Sequence, residues 1–192
     1  MSLPKYNDLA YSHFVTTKTF NNQKIFKEDD CCQILFDNIK FYQRKFKLDL
    51  IAWVIMPNHL HMIIWWNADK NPKLTISKIM HGIKWHSAKE ISKYLLNRQG
   101  AMALPTQLEG LNKNISTQPG RSGATARPKR LKIWQPGFYD FNIYSDHKLE
   151  EKINYIHHNP VKANLTKLPE NYKWSSYKLF KQNEKFYTKN CA

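Results

Sequence analysis

The stretch from Leu48 to Trp66 constrains this chain most: it is almost wholly aliphatic or aromatic and is broken once, at Met56-Pro57-Asn58. Such composition belongs to strands. A proline has no amide to give to a ladder, so it cannot sit inside a central strand. The segment therefore reads as two antiparallel strands joined by a tight turn. On either side the periodicity changes. Asp29 or Asp30 can cap a helix running to about Lys47, in which Ile34, Leu35, Phe41, Tyr42 and Phe46 recur at helical spacing. Leu74 to Leu96 repeats the pattern, with Thr75 or Ser77 as the cap and Ile76, Ile79, Ile83, Ile91 and Leu95 on one stripe. Leu9 to Thr19 predicts a first strand and Phe138 to Tyr144 a last one, and a helix from Asp146 should stop near Pro160. The order β, α, β, β, α, β, α predicts an α+β fold, a ferredoxin-like split βαβ sandwich with an antiparallel sheet and helices on one face.

Residues 99–130 depart from this pattern. Four of the six glycines (Gly100, Gly110, Gly120, Gly123), three prolines and a single acid, Glu109, fall there without periodicity. That is the composition of a long flexible insertion within a single domain spanning 1–192. Beside its end lies a basic run, Arg127, Lys129, Arg130 and Lys132, which is a candidate phosphate contact, although a solvated linker is the plainer reading. The chain as a whole carries 30 Lys and Arg against 15 Asp and Glu, a formal +15 whose self-repulsion a polyanionic partner would relieve. The longest apolar run, Met62 to Trp66, is far short of the roughly 20 residues of a spanning helix. Lys5 and Asp8 stand where a signal peptide would be apolar. A cytoplasmic protein with no membrane partner is expected. Cys31, Cys32 and Cys191 allow neither a disulfide framework nor a C-x-x-C knuckle, which argues against redox chemistry.

Two constellations carry chemistry. In Asn58-His59-Leu60-His61-Met62, strand alternation sends both histidines to one face, with Cα atoms about 6.5 Å apart, and sends Leu60, Met62 and Ile64 to the other. Two wet surface histidines would show the same spacing. This pair, however, heads the most apolar strand of the chain, where Val or Ile would ordinarily stand, and that favours metal ligation. In the helix from Asp146, Leu149, Ile153 and Ile156 form the buried stripe and Tyr155 lies well off it. Asn159 follows one turn later on Tyr155's side, with Lys152 on the same flank. The plain alternative is an exposed aromatic followed by an Asn cap before a proline. His157 and His158, pointing away from Tyr155, read as cap or surface groups.

Four blocks resemble one known family: Trp53-Val-Ile-Met-Pro-Asn-His59-Leu-His61, Ile133-Trp-Gln-Pro-Gly-Phe-Tyr-Asp140, Tyr155-Ile-His-His-Asn-Pro-Val-Lys-Ala163 and Trp174-Ser-Ser-Tyr177. Together they are similar to the IS200/IS605-like single-tyrosine transposases of the HUH class, and within it to the REP-associated tyrosine transposases. The resemblance implies that His59 and His61 bind a metal ion, Mg²⁺ or Mn²⁺, that Tyr155 is the nucleophile, and that Asn159 is a candidate third ligand where insertion-sequence members carry Gln. It implies nicking and rejoining of single-stranded or hairpin DNA through a 5′-phosphotyrosine. Lys152 or the metal would activate the phenol, and Tyr139, Tyr144 or Trp85 would stack unpaired bases. Two rivals stand beside this reading. One is a non-catalytic single-stranded nucleic-acid-binding protein. The other, a zinc hydrolase, lacks an acidic residue within the two motifs. Monomer and homodimer are both compatible with the sequence.

Overall fold

The computed structural model describes residues 12–101 and 131–181, the side chains of 99–101 excepted. In chain order they form β1 (Ser12–Lys18), α1 (Asp29–Phe46), β2 (Asp49–Met56), β3 (His59–Trp65), α2 (Ile76–Ala101), β4 (Tyr139–Ile143) and α3 (Asp146–Lys162). The sheet order is β2-β3-β1-β4 and every neighbouring pair is antiparallel. This is the expected split βαβ arrangement: β1 and β2 are joined through α1, and β3 inserts between them. Pro57 and Asn58 make the turn from β2 to β3. Of the expected 99–130 insertion, residues 102–130 lie outside the described residues, and Arg127, Lys129 and Arg130 lie outside with them.

Alternation along the strands sorts the core into two layers. Val15, Trp53, Ile55, Leu60, Met62 and Ile64 face α1 and α2, meeting Leu35, Ile39, Ile79, Ile83 and Ile91. Phe14, Ala52, Val54, Met56 and Ile63 face the other way, against Leu149, Ile153 and Ile156 of α3. Helices on one face is thus right for α1 and α2 only, and α3 covers the opposite face. The cause is in the strands themselves: β2 and β3 are apolar at both alternating sets of positions, so both faces must leave water. α1 and α2 approach closely at Gly82, where a Cβ would sit 2.5 Å from the Tyr42 ring.

Three local expectations are corrected. Neither Asp29 nor Asp30 is the cap of α1. Glu28 holds that position, while Asp29 accepts from the Trp174 indole at 2.7 Å and Asp30 from the Tyr94 hydroxyl at 2.6 Å. Thr75 does cap α2, accepting from the amide of Lys78 at 3.2 Å. α3, capped by Ser145, passes through Pro160 and ends at Lys162. The proline removes one helical bond, to Ile156, but Ala163 and Leu165 close the end onto Asn159 and Pro160 carbonyls. Third, His157 is buried rather than a surface group. Its Nε2 meets Ser176 Oγ at 2.9 Å, with Tyr177 and Phe180 against its ring. Only His158 is exposed, bonding the Asn154 carbonyl.

Two of the sequence blocks are structural. Trp134 bonds Ser87 of α2 at 3.0 Å, and Lys84 donates to the carbonyls of Gln135 and Gly137, fixing the approach to β4. The Trp174-Ser-Ser-Tyr177 block lies along the outer edge of β2. Ile55 N bonds Trp174 O at 2.9 Å, Ser176 N bonds Trp53 O at 3.0 Å, the Trp53 amide donates to Ser176 Oγ at 2.9 Å, and Tyr172 Oη donates to Ile55 O at 2.9 Å.

Candidate active site

The face of the sheet that receives α3 also carries His59 and His61. Their rings lie 4.7 Å apart, nearly perpendicular, and His61 stacks on Phe14 at 5.6 Å. The apolar stripe of α3 seats that helix on the same surface, so its off-stripe residues overhang the histidines. The Tyr155 ring stands 5.3 Å from that of His61 and 5.9 Å from Phe14, and is 38% exposed. Asn159, one turn later, is hydrogen-bonded through its side chain to His59. A strand and a helix far apart in sequence thus bring His59, His61, Tyr155 and Asn159 to one place. The exposed side of Tyr155 opens on a groove of about 630 Å³ along α3 that His147, Asn154, His158 and Lys162 also line.

Each imidazole is held from behind. Asn58 Oδ1 accepts from His59 Nδ1 at 2.7 Å, and Thr16 Oγ1 lies 2.7 Å from His61 Nδ1. With Nδ1 as the protonated nitrogen, each Nε2 keeps its lone pair. Burial pushes both rings toward neutrality. His59 falls to about 4, through burial first and then the nearby Lys18 charge, with its bond to Asn159 opposing. His61 falls to about 3, through burial, then His59 and Lys18. At neutral pH both are therefore uncharged donors. Among the described residues no group of three or more His, Cys, Asp or Glu is placed to hold a metal ion. The amide of Asn159 is the third donor on offer, and two imidazoles with an amide oxygen fit a divalent cation with open positions.

The charges around the tyrosine differ from the sequence expectation. Lys152 lies over Phe14 and Phe141, at 5.4 and 5.2 Å, and bonds Glu151. The ammonium over the Tyr155 ring is that of Lys162, at 5.6 Å. Lys132 lies over Phe20 at 5.2 Å. Sequence reasoning missed Thr16, Lys18, Asn58 and Lys162. The alternation Phe14, Thr16, Lys18 was readable, but only the pairing of Thr16 with His61 and of Lys18 with His59 turns it into a wall of the site.

The buried imidazoles also set the response to acid. Burial, with His158 and Lys181 adding, holds His157 down to about 4 against its ordinary 6.5. The unfolded chain therefore binds a proton that the native state refuses, and the stability this group contributes, present above pH 6.5, is lost as pH falls from 6.5 toward 4. The expected result is a urea midpoint that drops steadily over that window, with His157 alone accounting for about 1 kcal/mol per pH unit. His157→Gln should remove about a third of the slope, since His59 and His61 are held down over the same window, and an unchanged slope would count against the buried, neutral ring.

Fold and site together define a ferredoxin-like α+β domain with a helix tyrosine facing a strand histidine pair. A family model described as "Transposase IS200 like" matches residues 6–107, more than half of the chain, and the chain belongs to that family. Tyr155 and Asn159 lie beyond the matched residues. Among solved structures, a REP-associated tyrosine transposase bound to a REP hairpin is similar over 92% of this chain and 82% of its own, with a TM-score of 0.59 and 18% identity. A candidate transposase from Deinococcus radiodurans R1 aligns over 81% of this chain and 95% of its own, with a TM-score of 0.47 and 15% identity. No curated protein matches.

Proposed function

We propose that this transposase-family protein nicks and rejoins single-stranded DNA next to a hairpin, through a covalent 5′-phosphotyrosine on Tyr155 and with a divalent cation, Mg²⁺ or Mn²⁺, held by His59, His61 and Asn159. The observation that carries it is the Tyr155 ring, 5.3 Å from one ring of a paired, neutral, rear-anchored histidine couple. When bound, the cation would polarise a non-bridging phosphate oxygen and offset the charge that gathers as the phosphodiester is attacked. The chain's own groups supply the rest. Tyr155 Oη forms the bond to phosphorus while the bond to the 3′ oxygen breaks. The phenolic proton leaves and the departing oxygen gains one, giving a free 3′-hydroxyl and a 5′-phosphotyrosine. Attack by another 3′-hydroxyl runs the step backward and joins strands without an external energy source. Lys162 and Lys18 border the place where the phosphate must lie. The family and the +15 charge support a DNA partner, and the REP hairpin bound to the similar REP-associated transposase supports a hairpin as its form.

The test is incubation with radiolabelled hairpin DNA and Mn²⁺, followed by a denaturing gel. A labelled strand migrating with the protein supports the reading. Tight binding with no adduct would make this a non-catalytic single-strand binder. Affinity should also fall steeply with salt, with a log-log slope of roughly −0.7 per neutralised phosphate. A flat dependence would remove nucleic acid as the partner. Thr16→Val should weaken Mn²⁺ binding about 10- to 100-fold in titration calorimetry, because it frees the His61 ring to turn, while Thr16→Ser should keep it. Equal affinity for all three proteins would show that the hydroxyl does not orient the ligand.

A further inference from the structure

We propose a second docking surface for single-stranded DNA on the outer face of the α1–α2 pair, on the opposite side of the sheet from Tyr155 and the histidines. At the seam between these helices the Tyr42 hydroxyl bonds His86 Nδ1, and the Tyr42 ring is wedged against Gly82, where even a methyl group would collide. A residue one position earlier on a helix is turned by about 100°. Phe41 and Trp85, which precede Tyr42 and His86, are thereby turned outward on their two helices. Both are exposed, Phe41 by 47% and Trp85 by 43%. The four rings form one continuous series: Phe41 meets Tyr42 at 5.2 Å, Tyr42 meets His86 at 5.6 Å, and His86 meets Trp85 at 4.6 Å.

Charge decides the occupant. Lys45 Nζ lies 5.7 Å from the Phe41 ring and Lys89 Nζ 5.7 Å from the Trp85 ring. Among the described residues neither ammonium has an acidic partner. Carboxylates on the same helices are engaged elsewhere, Asp37 by Gln33 and Glu90 by Asn38. Two exposed aromatic planes on a stiff seam, each flanked by a cation, suit unpaired bases stacked on the rings with phosphates on the lysines. A second copy of this chain, itself at +15, would bring like charge to like charge. The surface rests on the proposed function for its DNA partner and not for its chemistry, since no group of the cleavage site belongs to it.

The experiment uses the full-length protein in EDTA with a fluorescent oligodeoxythymidine carrying 5-iodouracil. Photocrosslinks are expected on peptides containing Phe41 or Trp85. The Phe41→Ala/Trp85→Ala variant should lose about tenfold or more in affinity. In a separate arm, with Mn²⁺ in place of EDTA and saturating hairpin DNA, it should still form as much covalent adduct as the wild type. Lys45→Ala/Lys89→Ala, which leaves the rings in place, should lower the log-log salt slope by roughly 1.4, for two phosphates. Crosslinks confined to other peptides, with unchanged affinity and slope, would overturn the proposal. So would a wild-type dimer that the double aromatic variant cannot form. Crosslinks at these rings without any adduct would sink the cleavage reading and leave this surface standing, and the reverse outcome would do the opposite.

Discussion

Tyr155→Phe should reduce covalent DNA linkage to background while leaving the fold and most of the DNA affinity in place. The substitution deletes one oxygen from a ring that is 38% exposed, so a stability change within about 0.5 kcal/mol is expected, checked by thermal melting. The other tyrosines near this face are poorly placed to substitute. Tyr139 meets Phe14 at 6.3 Å, and Tyr144 packs against Phe141 at 6.0 Å. Among the described residues Tyr155 is the tyrosine whose ring contacts the histidine pair. Peptide mapping of a trapped adduct decides the matter. DNA attached to a Tyr139 or Tyr144 peptide, with Tyr155→Phe still active, would place the nucleophile on β4 or the turn after it.

His59→Ala and His61→Ala should each bring metal-dependent cleavage down to background and leave hairpin binding within a few-fold of wild type, because phosphate affinity comes from the lysines rather than the imidazoles. His61 is 5% exposed and stacked on Phe14, so its truncation also opens a void and should lower the melting temperature. His59 lies nearer the surface, and its loss separates chemistry from folding more cleanly. The informative control is EDTA. Equal cleavage by the wild type and both variants in its presence would remove the cation from the mechanism, whereas activity restored to wild type alone by Mn²⁺ supports it.

Much of this arrangement was legible in the chain because it rests on short-range periodicity. Alternation around Leu60 and Met62 set His59 and His61 on one face, and the stripe Leu149, Ile153, Ile156 left Tyr155 outside the core of its own helix. What escaped depends on partners distant in sequence. Thr16 and Lys18 join the site only through the register of β1 on β3. Lys162 reaches Tyr155 only because α3 continues past Pro160. His157 is buried only because Ser176, Tyr177 and Phe180 fold back over it. The sequence reading put the helices on one face, whereas the strands, apolar at both alternating sets of positions, require cover on both, and α3 supplies the second.

The segment that seals the edge of β2 has a consequence in time. Trp53 and Ile55 each turn an amide and a carbonyl away from β3, and all four groups are taken by residues 172–176. Ser176 is 123 residues later in the chain than Trp53. At ribosomal speeds that separation amounts to roughly 6 to 25 s. During that interval a newly made hairpin of β2 and β3 presents an apolar strand with its bonding edge open, the kind of template on which other chains pair. The last-made block of this domain therefore also ends its most aggregation-prone period, and a chain halted before residue 172 would be a ready client for a chaperone.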